Sequence, residues 1–250
     1  MADECIHGFE PGFCDICYPR TPAPASRAAT RTASRTATAR ASRTTASAPA
    51  VPPFSLATHR LLHVTHLRNL AAILRDGALR AGAAPEVDVS SATTRELRAA
   101  ADLASGRTVA EHVAFYASPA ATRWVELRDG GDGPHWSDAA RAARPTDFVM
   151  LGVPGAALGD DVVAADAGAA APATRFAVGA TDAQALLRRA RVADPDLAEV
   201  EVLSPADVPV DAVALLTVAN DRVRDTVRDL LAETGHAVRV AVFPGWFQRS

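Results

Sequence analysis

His63-Val64-Thr65-His66-Leu67-Arg68-Asn69-Leu70 decides how this chain folds, because two periodicities meet inside it. Upstream, Arg60 to Thr65 reads as a strand. Downstream, Leu67, Leu70, Ala71 and Leu74 fall at i, i+3, i+4 and i+7, the apolar stripe of a helix that Gly77 ends. Polar side chains at such a junction are placed for chemistry, and His63, Thr65 and Asn69 stand there. A second polar pair lies far along the chain, Glu199-Val200-Glu201, in a run from Leu197 to Leu203 that also reads as a strand. Side chains alternate faces along a strand, so Glu199 and Glu201 are predicted to share one face while Ala198, Val200 and Val202 supply the buried one. Neighbouring like charges repel and are rarely selected for stability, which makes the pair a candidate acid/base or cation-stabilising site. The plainer alternative is an exposed edge strand with an acidic outer face.

Around these two segments, further strands are predicted at Glu111 to Ser118, Asp147 to Val153, Arg175 to Val178, Val213 to Ala219 and Ala237 to Phe243. Helices are predicted at Asp182 to Arg191 and Asp221 to Glu233, each with an acid in its first turn. Many strands follow one another directly, which favours an α+β fold over a doubly wound parallel sheet. No glycine-rich phosphate loop follows the first strand, so Rossmann and P-loop architectures are excluded. Asp129-Gly130-Gly131-Asp132-Gly133 is predicted to be a flexible loop. His112 and His236 have no metal-binding companions and read as structural.

The chain divides into three parts. Residues 1–19 hold all three cysteines in the pattern C-x-H-x6-C-x2-C, formed by Cys5, His7, Cys14 and Cys17. Three thiolates and an imidazole suit tetrahedral zinc, and so short a segment needs a staple to fold. Four protein ligands leave no open position, so the zinc is expected to be structural. An odd number of cysteines argues against a disulfide framework. Residues 20–55 are mainly Thr, Ala, Ser, Arg and Pro, carrying Arg20, Arg27, Arg31, Arg35, Arg40 and Arg43 and no acid. Such a composition cannot repay the entropy of ordering and is expected to be a disordered linker. Residues 56–250 form the globular domain. All basic side chains are arginine and the net charge is −3, so the total does not indicate a strongly basic nucleic-acid binder. No apolar run is long enough to cross a bilayer and no signal peptide opens the chain, so a cytoplasmic protein is expected.

The run His63-x-Thr65-His66-x-x-Asn69-Leu70-x-x-Ile73-Leu74-x-x-Gly77-x-Leu79, the later Val113-x-Phe115-Tyr116-x-x-Pro119, the strand Ala198-Glu199-Val200-Glu201-Val202-Leu203 and the closing Trp246-Phe247 resemble the DarT family. The similarity covers about residues 57 to 248, in order. Members are NAD-dependent DNA ADP-ribosyltransferases, toxins of toxin and antitoxin pairs. The resemblance implies an ADP-ribosyltransferase fold, a split mixed β-sheet with flanking helices that clasps NAD, and single-stranded DNA as acceptor. It also implies an antitoxin or ADP-ribosylglycohydrolase partner and no membrane. It assigns the catalytic glutamate to Glu201 and places Glu199 two positions before it. His63, Thr65, Asn69 and Tyr116 match positions around NAD, and the family's essential arginine corresponds to Arg95 or Arg98. Typical members continue the second strand as Phe-Tyr-Phe-x-Pro-Arg-Ser-Pro-Met. Here the chain has Phe115-Tyr116-Ala117-Ser118-Pro119-Ala120-Ala121-Thr122, without that arginine and second proline.

In that chemistry the departing nicotinamide leaves positive charge on the ribose, which a carboxylate at Glu201 stabilises. Glu199 is expected to orient ribose hydroxyls or the incoming base, and an arginine to hold the pyrophosphate. A base must leave its stack to react, so an aromatic platform is expected; Trp124, Trp136 and His135 are candidates. For Trp124, packing in the core is the more frequent fate. Three functions of different class follow: a DNA base ADP-ribosyltransferase, a related transferase on RNA or protein, and a non-catalytic protein that binds a partner through its zinc segment.

Overall fold

The computed structural model describes residues 54–250. The expectations for Cys5, His7, Cys14 and Cys17 and for almost all of the linker lie outside the described residues. β1 (Arg60–His66) passes directly into α1 (Leu67–Asp76), and His66 caps the helix by accepting the Arg68 N–H on Nδ1. Leu70 and Leu74 bury fully, and the helix stops where Gly77 adopts φ 70°, a left-handed conformation that disfavours any residue with a Cβ. The chain continues through β2 (Ala78–Leu79), α2 (Ala92–Ala100), β3 (Val113–Tyr116), α3 (Thr122–Asp129), α4 (Asp138–Ala142), β4 (Phe148–Pro154), β5 (Val163–Ala165) and β6 (Phe176–Val178). It closes with α5 (Ala180–Ala193), β7 (Glu201–Ser204), β8 (Val208–Pro209), β9 (Leu215–Val218), α6 (Asp221–Thr234), β10 (Val240–Val242) and α7 (Pro244–Phe247).

Among the described residues, eight strands form one sheet in the order β10-β9-β4-β1-β3-β7-β5-β6, while β2 and β8 pair separately. Only β10 and β9 run parallel, so the sheet is mixed. It is also split. β1 pairs with β4 along its whole length, from Arg60↔Pro154 to His66↔Phe148, but meets β3 only at Leu62↔Tyr116. Beyond that pair the strands part, and the His63 ring turns into the fork with Nδ1 3.0 Å from the carbonyl oxygen of Ala114. A carbonyl can only accept, so Nδ1 carries the proton and Nε2 is the ring's acceptor.

One face of the sheet packs Leu61, Leu151, Phe115, Val202 and Leu216 against Leu70 and Leu74 of α1, Leu187 of α5 and Val227 of α6. The other face is divided. Leu62, Phe148 and Met150 pack with Trp124 and Leu127 of α3, whereas Val163, Ala165 and Leu203 pack with Leu103 and Val109. The fork between β1 and β3 lies between these two smaller cores and leaves a cleft.

The expected α+β class holds, with one informative departure. The strand predicted from Leu197 begins only at Glu201. Asp194 accepts the N–H groups of Asp196 and Ala198, at 3.0 and 2.6 Å, and Leu197 takes φ 52°, a strained value for a non-glycine residue. The Val200 N–H then closes a turn on the Leu197 carbonyl at 3.2 Å. A side-chain-capped turn has replaced the first half of the strand.

Candidate active site

Glu201 opens β7 directly opposite Tyr116 of β3 and Ala165 of β5, with neighbours on both sides. Its side chain is only 9% exposed, and each carboxylate oxygen has a donor. Arg98 Nη1 reaches Oε1 at 2.6 Å, and the Ala169 N–H reaches Oε2 at 2.8 Å. A buried carboxylate without such donors would be costly, so these contacts allow it to sit in the wall of a cleft.

That cleft has a volume of about 520 Å³. His63 and Val64 line it at the fork, Val89, Ser90, Thr94 and Arg98 from one side, and Tyr116, Arg123, His135 and Trp136 from another. The small residues Gly168 to Pro172, in the loop between β5 and β6, complete the wall beside Glu201. Burial pushes the His63 imidazole below its ordinary pKa, against the opposing effect of the Ala114 carbonyl. His112 also lines the cleft; burial lowers it too, while the Thr108 carbonyl accepts from its Nδ1 at 2.9 Å. Both rings therefore stand neutral with Nε2 as an acceptor. The Tyr116 phenol is pushed upward, first by burial and then by the charge of Glu201, and remains protonated.

The structure separates the two candidate arginines. Arg95 lies outside the cleft, 54% exposed, and bonds Asp88 and the Ser90 carbonyl, each at 2.6 Å. Arg98 points inward to Glu201. Both lie on α2, a helix with no buried residue, so neither hydrophobic packing nor its periodicity could have chosen between them.

Other predicted site residues fall elsewhere. Glu199 precedes the strand, is exposed, and accepts the Thr122 hydroxyl at 2.5 Å, bracing the start of α3. The face it was predicted to share with Glu201 does not form, because the Leu197 turn redirects the chain. Thr65 and Asn69 do not line the cleft. Instead Asn69 Nδ2 donates to Thr65 Oγ1 at 3.1 Å and to the Val87 carbonyl at 2.9 Å, while its Oδ1 accepts the Val87 N–H at 2.8 Å. The pair thereby fixes the segment that carries Val89 and Ser90 to the cleft. Trp124 is fully buried, edge-on to Phe148 and Phe247, with its indole N–H on the Trp246 carbonyl at 2.9 Å. No base can reach it there. Trp136 and His135, by contrast, do line the cleft. Asp129 to Gly133 ends α3, and Gly131 sits against Trp136 and Ala140.

Sequence reasoning missed His112, Arg123 and the Gly168 to Pro172 loop. His112 had no chemical companion nearby in sequence, and an alanine-rich loop contributes its backbone rather than side chains. Among the described residues no group of His, Cys, Asp and Glu is arranged to hold a metal ion, and no helix is long and apolar enough to cross a membrane.

A family model described as "ssDNA thymidine ADP-ribosyltransferase, DarT" matches residues 62–248. No curated protein matches the chain. Among solved structures, DarT of Thermus sp. 2.9 in complex with ADP-ribosylated ssDNA aligns with a TM-score of 0.64 at 21% identity, covering 76% of this chain and 97% of that one. The same protein in complex with NAD+ aligns with a TM-score of 0.61 at 20% identity, covering 76% and 98%. DarTG of Thermosipho africanus in complex with ADP-ribose aligns with a TM-score of 0.58 at 17% identity, covering 76% of this chain and 51% of that one. The likeness in fold therefore spans the described domain.

Proposed function

The chain belongs to the DarT family, and from that membership we propose that it is an NAD-dependent ADP-ribosyltransferase acting on a base of single-stranded DNA. The observation that carries the reading is the Glu201 carboxylate, almost buried at a forked sheet and held by Arg98 and the Ala169 N–H. As the bond between nicotinamide and ribose C1′ breaks, positive charge spreads over C1′ and the ring oxygen. A carboxylate fixed before the reaction stabilises that charge without having to reorganise. Nicotinamide leaves with the bonding electron pair, the ring nitrogen of the base forms the new bond to C1′, and a carboxylate takes the proton that nitrogen releases.

The neighbours have separate tasks. Arg98 fixes Glu201 and keeps further N–H donors for the dinucleotide, whose pyrophosphate suits a forked cation. His63 and Tyr116 border the place where NAD is clasped, while Thr65 and Asn69 act by holding the segment around Val87. Arg95 and Glu199 support α2 and α3 from outside.

At the other end of the chain, Cys5, His7, Cys14 and Cys17 form a donor set suited to structural zinc, and we assign them that role. Residues 20–53 act as a linker, shorter by two than the composition suggested because Phe54 is buried in the domain core, and the protein works in the cytoplasm, where NAD and DNA are available to it. A family toxin is paired with an antitoxin or ADP-ribosylglycohydrolase, and such a partner belongs to this reading.

Labelled NAD offered with single-stranded DNA, single-stranded RNA and protein tests the proposal. Label on DNA supports it. Label only on RNA or protein moves the activity to another acceptor, and no label anywhere leaves a binding protein.

A further inference from the structure

Two arginines line the cleft, and they differ in what they have left to give. Arg98 is engaged by the catalytic carboxylate. Arg123, on the second turn-forming residue of α3, donates Nη1 to Glu126 Oε2 at 2.8 Å, and its Nε and Nη2 have no hydrogen-bond partner among the described residues. Nε and Nη2 form one of the two parallel edges of a guanidinium, so a complete two-point donor remains unspent. That edge faces the loop beside the catalytic group: a Cβ placed on Gly168 would lie 3.8 Å from both nitrogens. The next residue, Ala169, gives its N–H to Glu201. Adjacent Cα atoms are about 3.8 Å apart, so Arg123 and the Glu201 carboxylate are separated by little more than one residue of loop. His135 stands nearby, near enough to be affected by the charges of Arg123 and Glu126.

We propose that Arg123 reads the acceptor base, donating its Nε and Nη2 hydrogens to the carbonyl edge of the nucleobase whose ring nitrogen is presented to Glu201. The inference rests on the DNA-transferase reading above. Two features make a base edge a better fit than a backbone phosphate. The cleft wall here is formed by Tyr116, Trp136 and small apolar residues, which suit a flat ring. Glu126 fixes the guanidinium in orientation, as a two-point contact requires, and its own negative charge disfavours a phosphate at the same place.

The test uses the full-length protein, labelled NAD and four single-stranded oligonucleotides, each with one kind of base available for modification. The R123M variant is expected to narrow the ratio of kcat/KM between the preferred base and the next by roughly 10- to 100-fold, the discrimination that one two-point contact provides. R123K keeps the charge but lacks the fork, and is expected to lose the same preference. An unchanged ratio in R123M overturns the inference. So does an equal loss on all four oligonucleotides that R123K restores and that comes with a weaker salt dependence, since this is the behaviour of a phosphate contact. If the wild-type protein labels no oligonucleotide, the functional reading fails and this inference with it. If the wild type labels one base and the variants keep its preference, only the inference fails.

Discussion

Replacing Arg98 with leucine isolates the contact that distinguishes this site from an ordinary surface of arginines and acids. Glu201 would keep the Ala169 N–H but lose its charged partner, while its side chain stays only 9% exposed. A hydrogen bond between charged groups contributes about 1.5–3 kcal/mol, and the 21% exposure of Arg98 lets water compensate in part, so a loss near about 1.5 kcal/mol is expected. For a domain of this size that lowers Tm by about 3–6 °C. Activity should fall much further, by about 10²–10³-fold, because a preorganised charge is removed where charge develops. Arg95→Ala is the control on the same helix: its ion pair with Asp88 is exposed, and stability should change by less than about 0.5 kcal/mol. Thermal melts followed by circular dichroism, with initial rates of transfer from labelled NAD, give both quantities. The reasoning is refuted if Arg98→Leu melts and transfers like the wild type, or if Arg95→Ala proves the more damaging change.

Trp124→Ala should destabilise the domain by about 3–5 kcal/mol, since it empties a fully buried position between Phe148 and Phe247; a normal denaturation midpoint with loss of DNA binding would instead make it a surface platform. Asn69→Ala removes both bonds to Val87 and should speed amide exchange around Val87 and raise KM for NAD; unaltered exchange there would contradict its role as a tether. His59, His63, His66, His112 and His135 are all held below 6.5 by burial as the leading cause. The unfolded chain therefore binds more protons as the pH falls, so stability is full above about 6.5 and declines below it toward the folded-state values. Tm should be lower at pH 5.5 than at pH 7.5, and a flat profile between them would show that these rings are not kept neutral.

What could be read in the sequence depended on whether a segment buries a patterned face. β1 and α1 were legible because Leu61, Leu70 and Leu74 enter the core at strand and helix spacing and Gly77 supplies the stop. α5 and α6 were found within a few residues for the same reason. α2 was not, since it buries nothing, and the two arginines it carries, Arg95 and Arg98, are told apart only by the contact of Arg98 with Glu201. α3 buries only Trp124 and Leu127 fully and leaves Thr122, Arg123, Val125, Glu126 and Arg128 half-buried, which is too little pattern over eight residues. β5 is Val163-Ala164-Ala165, and alanine carries little strand signal. Glu199 was misplaced by a tertiary detail: side-chain bonds from Asp194 stabilise a turn in a run whose apolar alternation resembles a strand. Glu201 and His63 do line one cleft, as expected, although the shared acidic face that pointed to position 201 does not form.

Glu201→Gln is the most direct test, because it keeps the shape of the side chain while removing its charge, at the cost of one of the two accepted hydrogen bonds, since an amide NH2 cannot accept from Arg98 or from the Ala169 N–H. In a transfer assay with labelled NAD and single-stranded DNA, the variant should lose at least about 10²-fold in rate while remaining folded, because the missing charge acts on the ribose only as the glycosidic bond breaks. A folded Glu201→Gln protein that labels DNA at the wild-type rate would contradict the claim that this carboxylate drives the reaction.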